Sequence, residues 1–209
     1  MYRCEATSVE GFIQQLAVSY ITHGYWFYVT GHIPWRKDPR KTDEKIIGQY
    51  GLDLSKWTRA RRKQAGLAKV QYLRHDRFFV PIATPGEHAF FQSERDVHDI
   101  RRRPIHFAGY SLACRRGRDG RYHASVRIGR EEFRSMVRAF ERLARFATVT
   151  DLTACFWALP YAPYGPVRRQ LFLVLRRVNE KRKTAGLEPV PVSALKLKRK
   201  CASPFCREG

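Results

Sequence analysis

The chain has 209 residues, 44% of them hydrophobic and 13% aromatic, which suffices for a packed core and excludes global disorder. Its 40 Lys and Arg against 19 Asp and Glu leave a net charge of +21, an excess that attracts polyanions. The five cysteines are scattered and odd in number, no apolar run is long enough to span a membrane, and the first residues lack the apolar stretch of a signal peptide. The expectation is a cytoplasmic protein with reduced thiols and no membrane contact, whose partner is nucleic acid.

Thr7-x-x-Glu10 reads as a capping box ahead of a helix that buries Ile13, Leu16, Ala17, Tyr20 and Ile21 and stops at Gly24. Tyr25–Thr30 is aromatic and β-branched, a buried strand. Asp38-Pro39 starts a second helix that buries Ile46, Ile47 and Tyr50 and ends at Gly51. Ser55 caps a third helix, which Gly66 closes. On its wheel Thr58, Arg59, Arg62 and Lys63 share one side with Lys56 nearby, while Trp57, Ala60, Gln64 and Leu67 share the other. Packing through Trp57 would leave a cationic face for a major groove. Residues 69–74 and 77–83 read as a β-hairpin, with Pro81 restricting its strand to an edge. Helix, turn, basic helix and hairpin over residues 38–84 resemble a winged helix-turn-helix, which favours DNA over RNA.

Ile105–Cys114 and Arg121–Ile128 read as two strands around an Asp119-Gly120 turn, and Arg115, Arg116, Arg118 and Arg121 crowd that tip. Glu131 and Glu132 open an amphipathic helix with Phe133, Met136, Val137, Phe140, Leu143 and Ala144 as its stripe. Asp151 caps a short helix that Pro160–Pro166 breaks. The last helix, about 167–185, buries Val167, Leu171, Val174, Leu175 and Val178. Residues 165–200 carry eleven cations (Arg168, Arg169, Arg176, Arg177, Lys181, Arg182, Lys183, Lys196, Lys198, Arg199, Lys200) against Glu180 and Glu188. The helix and the tail after it are expected to lie along a phosphate backbone, the tail ordering as it binds.

Catalysis leaves weaker traces. Tyr25–Thr30 resembles the first strand motif of rolling-circle replication proteins and related transposases. These cut DNA with a tyrosine and a metal held by a His-hydrophobic-His strand. His106 and His123 lie on apolar strands, and Tyr110, Tyr122, Tyr161 and Tyr164 are candidate nucleophiles, but no His-x-His occurs. His88, Glu94, Asp96, His98 and Asp99 are the densest set of metal-ligand types, the pattern a hydrolytic nuclease would need. As a polar loop they would instead offset Arg95 and Arg101–Arg103. Cys201-x4-Cys206 lacks zinc spacing, and no glycine-rich phosphate loop exists, so neither metal nor cofactor is expected. Phe78, Phe79, Phe90, Phe91 and Phe107 read as core rather than as base-stacking platforms.

The sequence thus predicts an α+β fold: a winged-helix-like unit within residues 1–84, an antiparallel hairpin with amphipathic helices at 85–160, and a basic helix and tail at 161–209. The expected function is DNA binding, in replication, recombination or a mobile element. A metal-dependent or tyrosine-using nucleic-acid-processing enzyme and a structural RNA-binding protein are the alternatives.

Overall fold

A computed structural model of the chain describes residues 2–205, with the side chains of Lys56, Arg59 and Lys63 left out of the description. The fold is α+β, and the chain forms two compact units. The first comprises residues up to Ile105, Leu112–Ser125 and the stretch from Cys201. The second comprises His106–Ser111 and Val126–Lys200. Neither is continuous in sequence, so the three consecutive segments read from the sequence do not coincide with them.

The first unit is built on one sheet. β3 (Val70–His75) and β4 (Phe78–Ala83) form the expected antiparallel hairpin, with Val70 opposite Ala83 and His75 opposite Phe78. Asp76 makes the two-residue turn at φ 50°, a left-handed conformation that Asp tolerates, so no glycine is needed. On the far side of β4 lie β1 (Phe27–Tyr28), the paired part of the predicted strand 25–30, and β2 (Gly31–His32), which begins just past that strand's expected end, and β5 (His98–Asp99) pairs with β1 beyond it. β4 is therefore an interior strand, which corrects the edge placement expected from Pro81. The reason is local. Pro81 has no N–H to donate, and the neighbouring strand is interrupted at Val29 and Thr30, opposite it, with only the Val29 amide reaching the Pro81 carbonyl at 3.1 Å.

Helix α1 (Val9–Gln14) runs on through a π-helical segment and a 3₁₀ turn to Gly24, which takes φ 89°. Its cap is Ser8, whose Oγ accepts the Gly11 amide at 3.0 Å, rather than Thr7. The Thr7 amide goes instead to the Pro204 carbonyl, which fixes the start of the helix one residue later. Gly11 is required there, because a Cβ would stand 2.9 Å from the Pro204 backbone. Phe12, Ile13, Leu16 and Ile21 are fully buried, as are Tyr72, Leu73 and Val80 of the sheet.

α2 (Pro39–Tyr50) starts and stops as its sequence dictates, with the Asp38 carboxylate accepting the Arg40 amide and Gly51 left-handed at its end. Tyr50 is buried, and Ile46 and Ile47 pack against the same cluster. α3 (Lys56–Gln64) is capped by Ser55, whose Oγ accepts the Thr58 amide at 3.2 Å, and it closes at Gly66. The helix pair and the hairpin after it are thus present, but the hairpin is built into the sheet through β4, which pairs β1 and β2 on its other side. A short helix, α4 (Ala89–Ser93), leads to β5.

The predicted strand 105–114 is two strands, β6 (Ile105–Phe107) and β7 (Tyr110–Arg116), because Ala108 and Gly109 both take positive φ and turn the chain back. With β8 (Tyr122–Ile128) they make a sheet in the order β6-β7-β8.

The second unit is mainly helical. α5 (Arg130–Leu143) buries Met136, Val137 and Phe140. α6 (Val149–Trp157) starts with a capping box in which Thr148 is the cap and Asp151 its reciprocal partner, so Asp151 sits three residues inside the end it was expected to cap. α7 (Gly165–Thr184) buries Val167, Leu171, Val174, Leu175 and Val178 against α5, and it buries Arg182 as well.

Candidate nucleic-acid interface

The basic helix α3 is turned differently from its predicted orientation. Trp57, expected to anchor it, is 81% exposed, and Ala60, Gln64 and Leu67 are exposed beside it. Arg62, expected on the cationic contact face, is half-buried and lines a cavity of about 290 Å³ with Tyr50, Leu52, Val70 and His88. Burial, and then the nearby Arg62 charge, hold the His88 imidazole below its ordinary pKa. The reversal has a physical cause. The segment offers few apolar groups to bury, and Tyr50, Leu52 and Phe90 already pack in the buried cluster of this unit without it. Thr58 and Arg61 are exposed. Lys56, Arg59 and Lys63 were assigned to the contact face from sequence, and their side chains lie outside the described residues.

The arginine tip between β7 and β8 is built as a tight turn. The Gly117 amide donates to the Arg121 carbonyl at 2.7 Å, and Gly120 is left-handed at φ 74°. Arg115, Arg116, Arg118 and Arg121 are all exposed. The one acid among them, Asp119, accepts from His123 Nε2 at 2.8 Å and from the Arg121 amide at 3.1 Å, and these bonds, His123 first, hold its carboxyl below the usual range. Asp119 thus shapes the turn instead of pairing with an arginine side chain. Arg116 donates from Nε to the Gly120 carbonyl.

A second arginine cluster lies in the same unit. Asp99 grips Arg101 through two-pronged bonds at 2.7–3.0 Å, which hold the Asp99 carboxyl below its ordinary value. Arg101 stacks 4.4 Å above the Trp26 ring, and Trp26 meets Tyr122 with ring centroids 5.1 Å apart. The fixed guanidinium leaves Arg102 and Arg103 as the exposed members of the run.

In the second unit the predicted cations divide. Arg168, Arg169 and Lys183 are exposed. Arg176 pairs with Glu180 at 2.9 Å and Arg177 with Glu141 at 3.3 Å, both near the surface, where such pairs are weak and yield to a stronger anion. Lys181 is half-buried. Arg182 is a correction. It is 3% exposed, and its Nη1 donates to the carbonyls of Ala144 and Ala147 at 3.2 and 2.7 Å, its Nε to that of Glu188. It braces the turn that follows α5 and cannot reach a ligand. The sequence carried the sign: position 182 continues the buried row 171, 174, 175, 178 at helical spacing. Replacing Arg182 with Met should cost about 1–3 kcal/mol through the carbonyls left unpaired. In a denaturant titration the midpoint would fall while the salt dependence of any nucleic-acid binding stayed unchanged. A changed salt slope would show that the side chain does meet a phosphate.

The tail is held down, contrary to the expectation of a free arm. Lys196 Nζ donates to the Trp157 carbonyl at 2.6 Å, and the Arg199 guanidinium stacks 4.6 Å above Tyr164. Lys198 and Lys200 are exposed.

The sequence reading missed a row on α5. Arg130, Arg134, Arg138 and Arg142 recur every fourth residue, Arg145 follows, and all five are exposed. Their spacing alone places them on one helix face. Only Arg134 of the five has an ion-pair partner among the described residues, Glu131 at 3.0 Å.

The groups considered for catalysis are engaged elsewhere. His88 caps α4 by accepting the Phe90 amide, Glu94 accepts the Tyr50 hydroxyl, His98 contacts Asp96 at 3.2 Å, and Asp99 holds Arg101. No three His, Cys, Asp or Glu converge as metal ligands among the described residues. The Tyr110 hydroxyl is tied to the backbone of Pro160 and Ala162, and burial with Glu132 nearby raises the Tyr161 pKa, the opposite of what a nucleophile needs. Cys201 is exposed, and Cys206, its partner in the zinc reading, lies outside the described residues. No helix among the described residues is long and apolar enough to cross a membrane.

Comparison with protein-family models, with curated proteins and with solved structures finds no match.

Proposed function

We propose that the protein binds nucleic acid. The observation that carries this reading is the charge excess of +21 together with where its arginines stand: on a hairpin tip and on the outer faces of α5 and α7, exposed and, apart from Arg134, Arg176 and Arg177, without ion-pair partners among the described residues. Concentrated, unpaired cations on surface elements attract phosphates and release counterions when they bind them. DNA is favoured over RNA on the helix pair α2 and α3, which is capped, joined by a short glycine-containing link as in a helix-turn-helix, and leaves Thr58 and Arg61 exposed on α3. Buried, unpaired Cys4 and Cys114 suit the reducing cytoplasm where such a protein would act.

The test is a titration against duplex DNA, single-stranded DNA and structured RNA at several salt concentrations, with and without a divalent cation. The expected result is affinity that falls steeply with salt, about 0.9 in log–log slope for each duplex phosphate contacted. Arg61→Ala, at an exposed position of the helix, then separates two modes for α3. Relaxed sequence preference assigns it to base reading, and equal weakening of all sequences assigns it to the backbone. Affinity that is absent, or indifferent to salt, would remove the proposal.

A further inference from the structure

The second unit holds a shallow depression of about 730 Å³, within the size range of small-ligand sites. Four cations line it, Arg138, Arg142 and Arg145 from α5 and its end and Lys181 from α7, and Phe146 stands at its rim. Its one carboxylate, Glu141, already pairs with Arg177. Phe146 is 86% exposed, more than any other large hydrophobic side chain described.

The position of that ring is imposed by its surroundings. Phe146 lies in the turn 144–147 after α5, where its amide donates to the Leu143 carbonyl at 3.0 Å. The carbonyls on either side of it, at Ala144 and Ala147, are the two that buried Arg182 clamps. The turn is anchored from beneath, so the phenyl ring is presented to solvent without a mobile loop. An aromatic face held in the open beside a cationic hollow matches a ligand that is flat, apolar and attached to phosphates.

We infer that this depression binds an unpaired nucleotide of a single strand, with Phe146 stacking the base and Arg138, Arg142, Arg145 and Lys181 meeting the flanking phosphates. The inference rests on the nucleic-acid reading above and adds to it a substrate feature, unpaired bases. Stacking on an exposed ring requires a base free of its own helix, since the faces of paired bases are covered by their neighbours. A hollow also suits an inserted base better than a flat bilayer, which would favour a protruding apolar ridge. Arg182 is a positioning residue here, acting only through the turn it holds.

The experiment uses the full chain, with fluorescein-labelled oligo-dT, oligo-U and a mixed-sequence duplex. Phe146→Ala should weaken both single strands about tenfold and leave the duplex affinity within twofold, while Phe146→Trp restores binding. Because the side chain is solvent-exposed, the alanine variant should keep the parent's unfolding midpoint. Irradiation with 5-bromouracil-substituted oligonucleotide should cross-link the peptide that contains Phe146. The oligo-dT and oligo-U arms tell DNA from RNA as the source of the strand. Unchanged single-strand affinity in Phe146→Ala, with the parent still binding in a salt-dependent way, overturns the inference and spares the nucleic-acid reading. Equal weakening of strand and duplex also overturns it, since a stacking contact discriminates the two. Phe146-dependent binding to anionic phosphatidylserine vesicles without a single-strand effect would assign the patch to lipid instead. No binding to any oligonucleotide removes both readings.

Discussion

Asp43→Ala is expected to destabilise the first unit by about 3–5 kcal/mol, the cost of leaving a buried charge without its partner. Asp43 and Arg74 are 7% and 2% exposed. The Asp43 carboxylate accepts the Tyr72 hydroxyl at 2.6 Å and Arg74 Nε at 2.9 Å, while Arg74 also reaches Glu5 at 3.1 Å and the Asp76 carbonyl. Glu5 is more than half exposed, so it compensates the guanidinium only weakly once Asp43 is gone. The network ties α2 to the middle of β3 and to the N-terminal segment, whose Cys4 thiol is pushed up to about 12 by burial and then by Asp43. Denaturant unfolding should show a lower midpoint with an unchanged slope. Removing both charges, with Asp43→Ala and Arg74→Met together, should cost less than Asp43→Ala alone, because no orphan ion remains. A loss below about 1 kcal/mol for the single variant would mean that water reaches Arg74 and that the pair is not a structural tie.

Replacing Arg115, Arg116, Arg118 and Arg121 together by Ala should flatten the salt dependence of duplex binding by about 3–4 in log–log slope, if each meets one phosphate. Between 50 and 200 mM salt the loss of affinity would then shrink by about a hundredfold relative to the parent. The corresponding Arg→Lys set should keep the slope, because counterion release counts charge and not shape. Stability should hold, since the turn is shaped by Gly117, Gly120 and Asp119 and the four side chains are exposed. Circular dichroism and a thermal melt would check that. An unchanged slope would take the tip out of the interface and leave α5 and α7 as the cationic surfaces to test.

How much of the molecule was legible in its sequence depends on how far each determinant reaches along the chain. Asp38-Pro39 and Gly51 mark the ends of α2, and Ser55 and Gly66 those of α3, because a cap acts within a few residues. The stripes of α5 and α7 were readable for the same reason. Ser8 displaced Thr7 as a cap because the Thr7 amide bonds to Pro204, a partner that local pattern does not reveal. Pro81 stayed in an interior strand because the strand beside it breaks opposite the missing donor.

The candidate site divides along the same line. Charge counting located the tip and the helices that carry most of the arginines, and the four-residue period on α5 was present to be read. It could not say which cation is interior. Arg74 looks in sequence like every other arginine, and Arg182 is marked only by its place in the buried row of α7. Their acceptors are carbonyls 35 and 38 residues away in one case and a carboxylate 31 residues away in the other. Trp57 shows the converse, an indole predicted to pack that stands in solvent.

By itself, then, the sequence determined the ends of α2 and α3, the α+β class and the positive charge, all of which follow from backbone geometry and composition. Only the tertiary structure decided which arginines became internal braces, that β4 runs through the middle of its sheet, and that Phe146 stands beside a cationic hollow. Each of these depends on groups that are distant in sequence and meet only when the chain is folded, and burial, which decides whether a charge is a brace or a contact, is set by those meetings.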